Sequence, residues 1–197
     1  MGREFELKYA AAPEQQAAIR ELFPDLVPIE METTYYDTPA GDLSARRWTL
    51  RRRFEDGRSV CTLKTPAPGG ARGEWELEMG DIRDAIPELC KLGAPEELVS
   101  LAENGVIQVC GARFTRLAGV ISAEGCTLEL ALDSGILTGG GRTGPLCEVE
   151  VELKAGSDAD AVAYAQALAR RFGLSPQPKS KYRRALELAR TKENEHV

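Results

Sequence analysis

The sequence has almost no histidine, and its cysteines and apolar residues lack the spacing of several common sites. The only histidine of the 197 residues is His196, so neither a histidine-based metal site nor a Ser-His-Asp triad is expected. The five cysteines are scattered without C-x-x-C spacing, which predicts reduced thiols in a cytoplasmic protein. No apolar run is as long as a membrane span, and the N-terminus lacks a signal-peptide core, so we expect no membrane association.

The chain also lacks the net positive charge that is usual in nucleic-acid-binding proteins. Its 25 Lys and Arg residues against 31 Asp and Glu residues give a net charge of −6, which argues against nucleic-acid binding. The sequence is 43% hydrophobic, enough for a real core. No linker rich in proline, glycine or serine divides it, so we expect one domain over residues 1–197.

Several segments alternate charged and apolar residues with period two, as half-buried β-strands do. The first is EFELK at residues 4–8, and Asp56-Gly57 predicts a hairpin between two later strands. Helices are predicted at 13–23 and from Ser157 to about Phe172. About eight strands, joined mostly by hairpins and interrupted by a few helices, predict an antiparallel α+β fold.

Carboxylates recur on one face of three of these strands, and cations recur on one face of two others. EFELK has a near-copy, EVELK, at 150–154, and EWELE at 74–78 repeats the alternation. Arg51 and Arg53 share a face, as do Thr62 and Lys64. Any one of these strands alone is typical of an exposed sheet face. Like charges at successive same-face positions repel each other unless cations intervene, so carboxylates that face each other should have raised pKa values.

Together these strands favour a closed or strongly curved barrel with a polar interior and its apolar side chains outside, under helices. Carboxylate oxygens suit Mg²⁺ or Mn²⁺, and arginine forks match phosphate oxygens, so a cavity with both sets suits phosphoryl transfer. Two other segments have simpler interpretations. GGGRTG at 139–144 lacks the context of a phosphate loop and predicts a hairpin turn. Lys181, Arg183 and Arg184 fit either ligand binding or a solvated helix face.

Motifs along most of the chain add a family resemblance. They are EFELK (4–8), TYYDTPAGDL (34–43), LRRR (50–53), TLK (62–64), RGEWELE (72–78), LALDSG (130–135), CEVEVEL (147–153) and PKSKYRRAL (178–186). Their order and spacing resemble the CYTH superfamily, or triphosphate tunnel metalloenzymes, and the last resembles bacterial inorganic triphosphatases. The resemblance implies a closed eight-stranded antiparallel β-barrel with helices packed outside. Some bacterial relatives carry a second, helical phosphate-binding domain, which is not expected in this chain.

The resemblance also implies roles for individual residues. The implied ligands of Mg²⁺ or Mn²⁺ are Glu4, Glu6, Asp133, Glu148 and Glu150. The implied triphosphate-binding residues are Lys8, Arg51, Arg53, Lys64, Arg72, Arg116, Lys181 and Arg184, with Glu74 and Glu76 in the tunnel wall. The implied catalytic residues are Glu6, Lys8 and Tyr35. Tyr35 and Tyr36 point to opposite faces, so only one of them can face inward.

The function implied by the resemblance is metal-dependent hydrolysis of a triphosphate, with inorganic triphosphate as the expected small-molecule substrate. Three alternatives remain open at this point: a thiamine triphosphatase, a class IV adenylate cyclase that converts ATP to cyclic AMP and pyrophosphate, and a module that binds polyphosphate or nucleotide without turnover. Members of this superfamily occur as monomers and homodimers, and the sequence does not distinguish the two.

Overall fold

A computed structural model describes residues 5–66 and 72–190 of the chain. Its elements, in chain order, are β1 (Glu6–Ala10), α1 (Pro13–Leu22), β2 (Val27–Asp37), α2 (Asp42–Ala45), β3 (Thr49–Glu55), β4 (Arg58–Pro66), β5 (Arg72–Glu78), α3 (Ile82–Lys91), α4 (Glu97–Leu101), β6 (Ile107–Ala123), β7 (Cys126–Gly139), β8 (Arg142–Gly156), α5 (Asp158–Phe172), β9 (Ser175–Pro176) and α6 (Lys181–Arg190). Within these described stretches, no helix has both the length and the apolarity needed to cross a membrane.

The strands form a single antiparallel sheet in the order β5-β4-β3-β2-β6-β7-β8-β1-β9. The antiparallel α+β fold expected from the sequence is therefore confirmed. The closed eight-stranded barrel is not, because in the described part of the chain the sheet has nine strands and is open between β5 and β9. The short strand β9 pairs with Tyr9 and Ala10 along the edge of β1 that a closing strand would need. Pro176 itself has no N–H group to donate, and one residue beyond it the N–H of Gln177 donates to the carbonyl oxygen of Lys8 at 2.8 Å.

Tight turns with left-handed backbone join two of the hairpins. Asp56 and Gly57 connect β3 to β4 with φ values of 46° and 79°. Gly140 and Gly141 connect β7 to β8 with φ values of 57° and 74°. Two successive positive φ values are typical of the type I′ turn, whose twist matches that of the flanking strands. The interpretation of GGGRTG as a hairpin turn is therefore confirmed.

Two apolar clusters lie on the outer face of the sheet, under helices. Alternate residues of β7 and β8, such as Leu128, Leu130 and Val149, pack under α1 and α5. Leu50, Leu63 and the neighbouring side chains of β3, β4 and β5 pack under α2, α3 and α4. These side chains alternate with the charged ones, so the charged face of each strand is turned to the opposite, inner side of the sheet.

The last helix, α6, lies on that inner face, which corrects the expectation that the helices pack outside. Its Ala185 and Leu186 pack against Phe114, Leu137 and Leu146. These strand residues stand an even number of positions from Arg116, Asp133 and Glu148, and therefore share their face. The physical reason is a change of composition. Beyond the charged residues, the inner face becomes apolar or small, and only a helix covers it.

Candidate active site

Three carboxylates meet at the deep end of the inner face. Asp133 of β7 and Glu148 of β8 are opposite each other in the strand register, and Glu150 is two residues farther along β8. Asp133 and Glu148 are fully buried, and Glu150 is 8% exposed. One carboxylate oxygen of each lies within 4.8 Å of the others. The structure therefore brings together three of the five metal ligands expected from the sequence.

Three cations neutralise these carboxylates. Arg116 forms a fork on Asp133, with Nε and Nη2 each 2.7 Å from a carboxylate oxygen, and its Nη2 also donates to Glu150 at 2.5 Å. Lys181 Nζ lies 2.6 Å from Asp133 Oδ2 and 2.8 Å from Glu150 Oε1, and it also donates to Glu148. Arg184 donates to Glu148. Of the cations at the start of α6, Lys181 and Arg184 therefore hold these carboxylates, whereas Arg183 pairs with Glu187.

The pKa shifts of the two glutamates have opposite directions, so the expectation that such carboxylates have raised pKa values holds only in part. Burial raises the pKa of Glu148 more than the neighbouring Lys181 lowers it. Burial also acts to raise the pKa of Glu150, but Lys181 and Arg116 together outweigh it and hold that pKa well below its usual range. The carboxylates in turn raise the pKa of Lys181 against the effect of its burial.

Side chains from all eight longer strands and from α6 line one cavity of about 320 Å³ in front of these carboxylates. Residues with expected roles in its wall are Glu6, Lys8, Tyr35, Arg51, Arg53, Lys64, Glu74, Glu76, Arg116, Glu150 and Lys181. A sheet whose eight longer strands all reach one cavity must be strongly curved, as expected from the alternation of charge. A larger groove of about 860 Å³ runs between β1 and the end of α5, away from the carboxylate cluster.

Ion pairs link the cationic and acidic strands across the cavity wall. Lys64 Nζ is 3.2 Å from Glu74 Oε1, and Arg51 Nη2 is 3.8 Å from the same oxygen. On β1, Lys8 Nζ lies 3.0 Å from Glu6 Oε1. Glu6 lines the same cavity but is not one of the three carboxylates that lie within 4.8 Å of one another. Glu4 and the side chain of Arg72 lie outside the described residues.

Tyr35 is the tyrosine that faces the cavity, whereas Tyr36 packs into the outer cluster beside Leu43 and Trp48. The ring of Tyr35 packs on Tyr182 of α6, with centroids 5.1 Å apart and planes inclined by 42°. Burial raises the pKa of Tyr35, and Arg51 and Lys181 oppose that rise. Tyr35 is thus held between the cationic strand β3 and the helix α6.

Other residues of the site are not expected from the sequence motifs. Phe114 and Tyr182 line the cavity, and each could have been inferred from its position next to an expected ligand. Gln16 of α1 donates its side-chain amide to the backbone carbonyls of Asp133 at 3.0 Å and Glu148 at 2.9 Å. A single glutamine in an amphipathic helix gives no signal for such a contact.

The aspartate of the TYYDTPAGDL motif binds backbone groups of its own turn. Asp37 is buried and accepts hydrogen bonds from the backbone N–H groups of Thr38, Leu43 and Ser44. It thereby closes the turn after β2 and holds the start of α2. The sequence motif is explained here by local folding, while the preceding Tyr35 faces the cavity.

The donor set fits a hard divalent cation. The cavity and the cluster behind it offer carboxylate oxygens, which Mg²⁺ and Mn²⁺ prefer over the nitrogen and sulfur ligands of softer metals. Asp133, Glu148 and Glu150 are close enough to bind one ion together. Of these three, only Glu150 lines the cavity, because Asp133 and Glu148 are fully buried and held by α6 or Arg116.

Comparison with known proteins places this geometry in a family. The family model of the CYTH domain matches residues 2–186. The inorganic triphosphatase of Haemophilus influenzae is 26% identical over 175 residues, which are 85% of this chain and 50% of that protein. The chain therefore spans about half the length of this curated relative.

Solved structures share the fold. HpAC1 from Hippeastrum, provisionally an adenylyl cyclase but with a dominant triphosphatase activity, matches with a TM-score of 0.66 and 20% identity over 100% of both chains. A provisionally assigned adenylate cyclase from Bacillus halodurans matches with a TM-score of 0.64 and 21% identity, over 91% of this chain and 96% of that one. The family model covers nearly the whole sequence, so the resemblance of the motifs is confirmed and the chain belongs to the CYTH domain family.

Proposed function

We propose that this domain hydrolyses inorganic triphosphate to pyrophosphate and phosphate with the help of Mg²⁺ or Mn²⁺. The observation that carries the proposal is a single cavity of about 320 Å³ in which lysines and arginines from several strands face carboxylates. Phosphoryl transfer needs both, because catalysis consists mostly of positioning and of stabilising charge on the phosphate oxygens.

The cations of the wall are the proposed triphosphate ligands. Arg51 and Arg53 extend from β3, Lys64 from β4 and Lys8 from β1, so they approach the cavity from different sides. Arginine binds phosphate oxygens through two parallel N–H groups, and lysine acts as a compact point charge. A linear chain of three phosphates spreads several negative charges along its length, so it matches such a distributed set better than a compact single anion does.

The carboxylates are the proposed metal ligands, with Glu6 and Glu150 at the cavity surface and Asp133 and Glu148 behind. A bound divalent ion supplies Lewis-acid neutralisation of charge on the phosphate oxygens. Lys8 would hold a phosphate at the reacting end, and its ion pair with Glu6 fixes the direction of its ammonium group. Tyr35 would support the same region from β2, where it lies beside Arg51 in the strand register.

The aromatic side chains favour a substrate without a base. Arg116 and Lys181 lie over the ring of Phe114, 5.9 Å and 5.2 Å from its centroid. Tyr35 packs on Tyr182. Among the described residues that line the cavity, each aromatic ring therefore already has a neighbour on it. A nucleobase or a thiamine ring binds best against an open aromatic or apolar face.

The direct test measures phosphate release from inorganic triphosphate, thiamine triphosphate and ATP with Mg²⁺ or Mn²⁺, and also cyclic AMP formed from ATP. We expect the highest kcat/KM with inorganic triphosphate and no turnover after the metal is chelated. Preference for thiamine triphosphate, or cyclic AMP as the main product, would replace this substrate with one of the alternatives. No hydrolysis of any of the three would refute the enzyme assignment.

A substitution separates an enzyme from a binding module. Glu6→Gln should lower kcat by orders of magnitude while the melting temperature stays close to that of the wild type, because Glu6 is partly exposed and its pair is local. Glu32→Gln is the matched control, since Glu32 is exposed and lies on the outer face of β2. Triphosphate binding without any metal-dependent rate in the wild type would instead identify a binding module.

A further inference from the structure

We propose that Gly139, at the end of β7, is a positioning residue: its missing side chain lets α6 lie flat on the inner face, and this places Lys181 and Arg184 at the carboxylates. The proposal rests on the proposed function only for its effect on triphosphate binding. The packing of α6 against the sheet at Gly139 does not depend on that function and can be tested separately.

The contact between Gly139 and α6 is closer than any other residue would allow. A Cβ atom on Gly139 would lie 2.3 Å from the carbonyl oxygen of Ala185 and 2.9 Å from the backbone N of Ala189. Both are helix backbone atoms and cannot turn aside as a flexible side chain does. Gly139 does not have a positive φ, so its backbone conformation itself is open to alanine. The requirement for glycine here comes from the helix and not from the turn.

The helix residue that contacts Gly139 is close in the chain to the cations that bind the carboxylates. Ala185 is one helical turn after Lys181 and adjacent to Arg184, so a shift of its carbonyl shifts both cations. Restoring ordinary van der Waals distance at Gly139 requires a displacement of about 1 Å, and such a misplacement can lower catalysis by about 100-fold. The ion pairs of Lys181 with Asp133 and Glu150, now 2.6 Å and 2.8 Å, would lengthen accordingly.

The same hairpin offers a matched control at Gly144. A Cβ atom there would lie 3.2 Å from Leu188 Cδ1, the far end of a flexible side chain. Gly144 also has no positive φ. Gly144→Ala therefore adds the same methyl group to the inner face of the neighbouring strand, where the helix can accommodate it by a rotation of Leu188.

The first experiment tests how closely α6 packs on the sheet by measuring the alkylation rate of a buried thiol. Cys110 is the strand partner of Gly139, is buried, and has its Sγ 3.9 Å from the carbonyl oxygen of Tyr182. In Gly139→Ala, alkylation of Cys110 should become about tenfold faster, since local opening exposes it. Gly144→Ala should alkylate like the wild type. Cys61, buried in the outer cluster under α3, should react at the same rate in all three proteins unless the whole fold is weakened.

The second experiment measures binding of inorganic triphosphate by calorimetry without metal. Gly139→Ala should weaken it by about tenfold, equivalent to about 1.4 kcal/mol. In a Lys181→Met/Arg184→Met background the same Gly139→Ala change should have almost no further effect, because the cations that it displaces are gone. Additive losses in this cycle would show a general structural role and overturn the positioning role.

The outcomes separate the packing role of Gly139 from the binding of triphosphate. Faster alkylation of Cys110 with unchanged triphosphate affinity would support the packing role of Gly139 and count against the triphosphate-binding role that the family resemblance implies for Lys181 and Arg184. Unchanged alkylation and unchanged affinity in a folded Gly139→Ala protein would overturn the inference. If that variant does not fold, Ala189→Leu enlarges the helix side of the same contact, where Ala189 Cβ lies 3.2 Å from the point that a Cβ atom on Gly139 would occupy. It should expose Cys110 in the same way, and no exposure would equally overturn the inference.

Discussion

Lys181 contacts all three clustered carboxylates, so its removal is the most informative single perturbation. In Lys181→Met the side chain keeps its length but loses its charge. Among the described residues, Asp133, Glu148 and Glu150 then keep ion pairs only with Arg116 and Arg184. Because Asp133 and Glu148 are fully buried, water cannot replace the missing cation without opening the site. The variant therefore leaves an uncompensated negative charge in the interior.

The expected magnitude follows from burial. Removing one partner of a buried ion pair destabilises a protein by about 3–5 kcal/mol. For a chain of this size each kcal/mol lowers the melting temperature by about 2–4 °C, so we expect a decrease of about 10 °C. Lys179→Met is the control, because Lys179 is half exposed and its pair with Glu187 lies on the surface. Such surface pairs contribute about 0–1 kcal/mol.

Lys181→Met should change the affinity for metal and the affinity for triphosphate in opposite directions. At the proposed metal site Lys181 would compete with a divalent ion for the same carboxylate oxygens, so Lys181→Met should bind Mn²⁺ alone on the order of tenfold more tightly than the wild type. Mn²⁺ at 100 times its Kd should restore about 2.7 kcal/mol of stability. Triphosphate binding without metal should weaken instead. Calorimetry and thermal melts measure these effects, and a variant with wild-type Mn²⁺ affinity and wild-type melting temperature would refute the reasoning.

Three further predictions concern groups around the site. The pKa of Glu150 is lowered in the folded state, so its carboxylate stabilises the fold at pH values above its ordinary pKa of about 4.5, and that contribution is lost as the pH falls. Glu150→Gln should therefore flatten the acid side of a plot of stability in urea against pH. Burial raises the pKa of Cys61 to about 11 and of Cys110 to about 12, so iodoacetamide at pH 8 should label both slowly when folded and quickly in urea. Gln16→Leu leaves two buried strand carbonyls without their donor, and should destabilise the protein by about 1–3 kcal/mol and weaken Mn²⁺ binding, whereas the exposed Glu14→Gln should do neither.

Local patterns in the sequence were sufficient for most elements and for the inner face. The alternation of charged and apolar residues has the period of a strand, so it determines which side chains share a face whatever the neighbouring strand is. Glu6 with Lys8, Arg51 with Arg53, and Glu148 with Glu150 consequently all lie on the inner side, as expected. Asp56-Gly57 and Ser157 similarly mark a turn and a helix start through their own backbone preferences.

The tertiary structure decided what depends on distant partners. Sheet closure depends on which strand reaches the free edge of β1, and a two-residue strand with proline occupies part of it. The position of α6 depends on small residues of another hairpin, above all Gly139, which the sequence indicates only as part of a turn. Lys181 meets Glu150 across 31 positions of chain. Such contacts arise from packing between elements, and no period within one element encodes them.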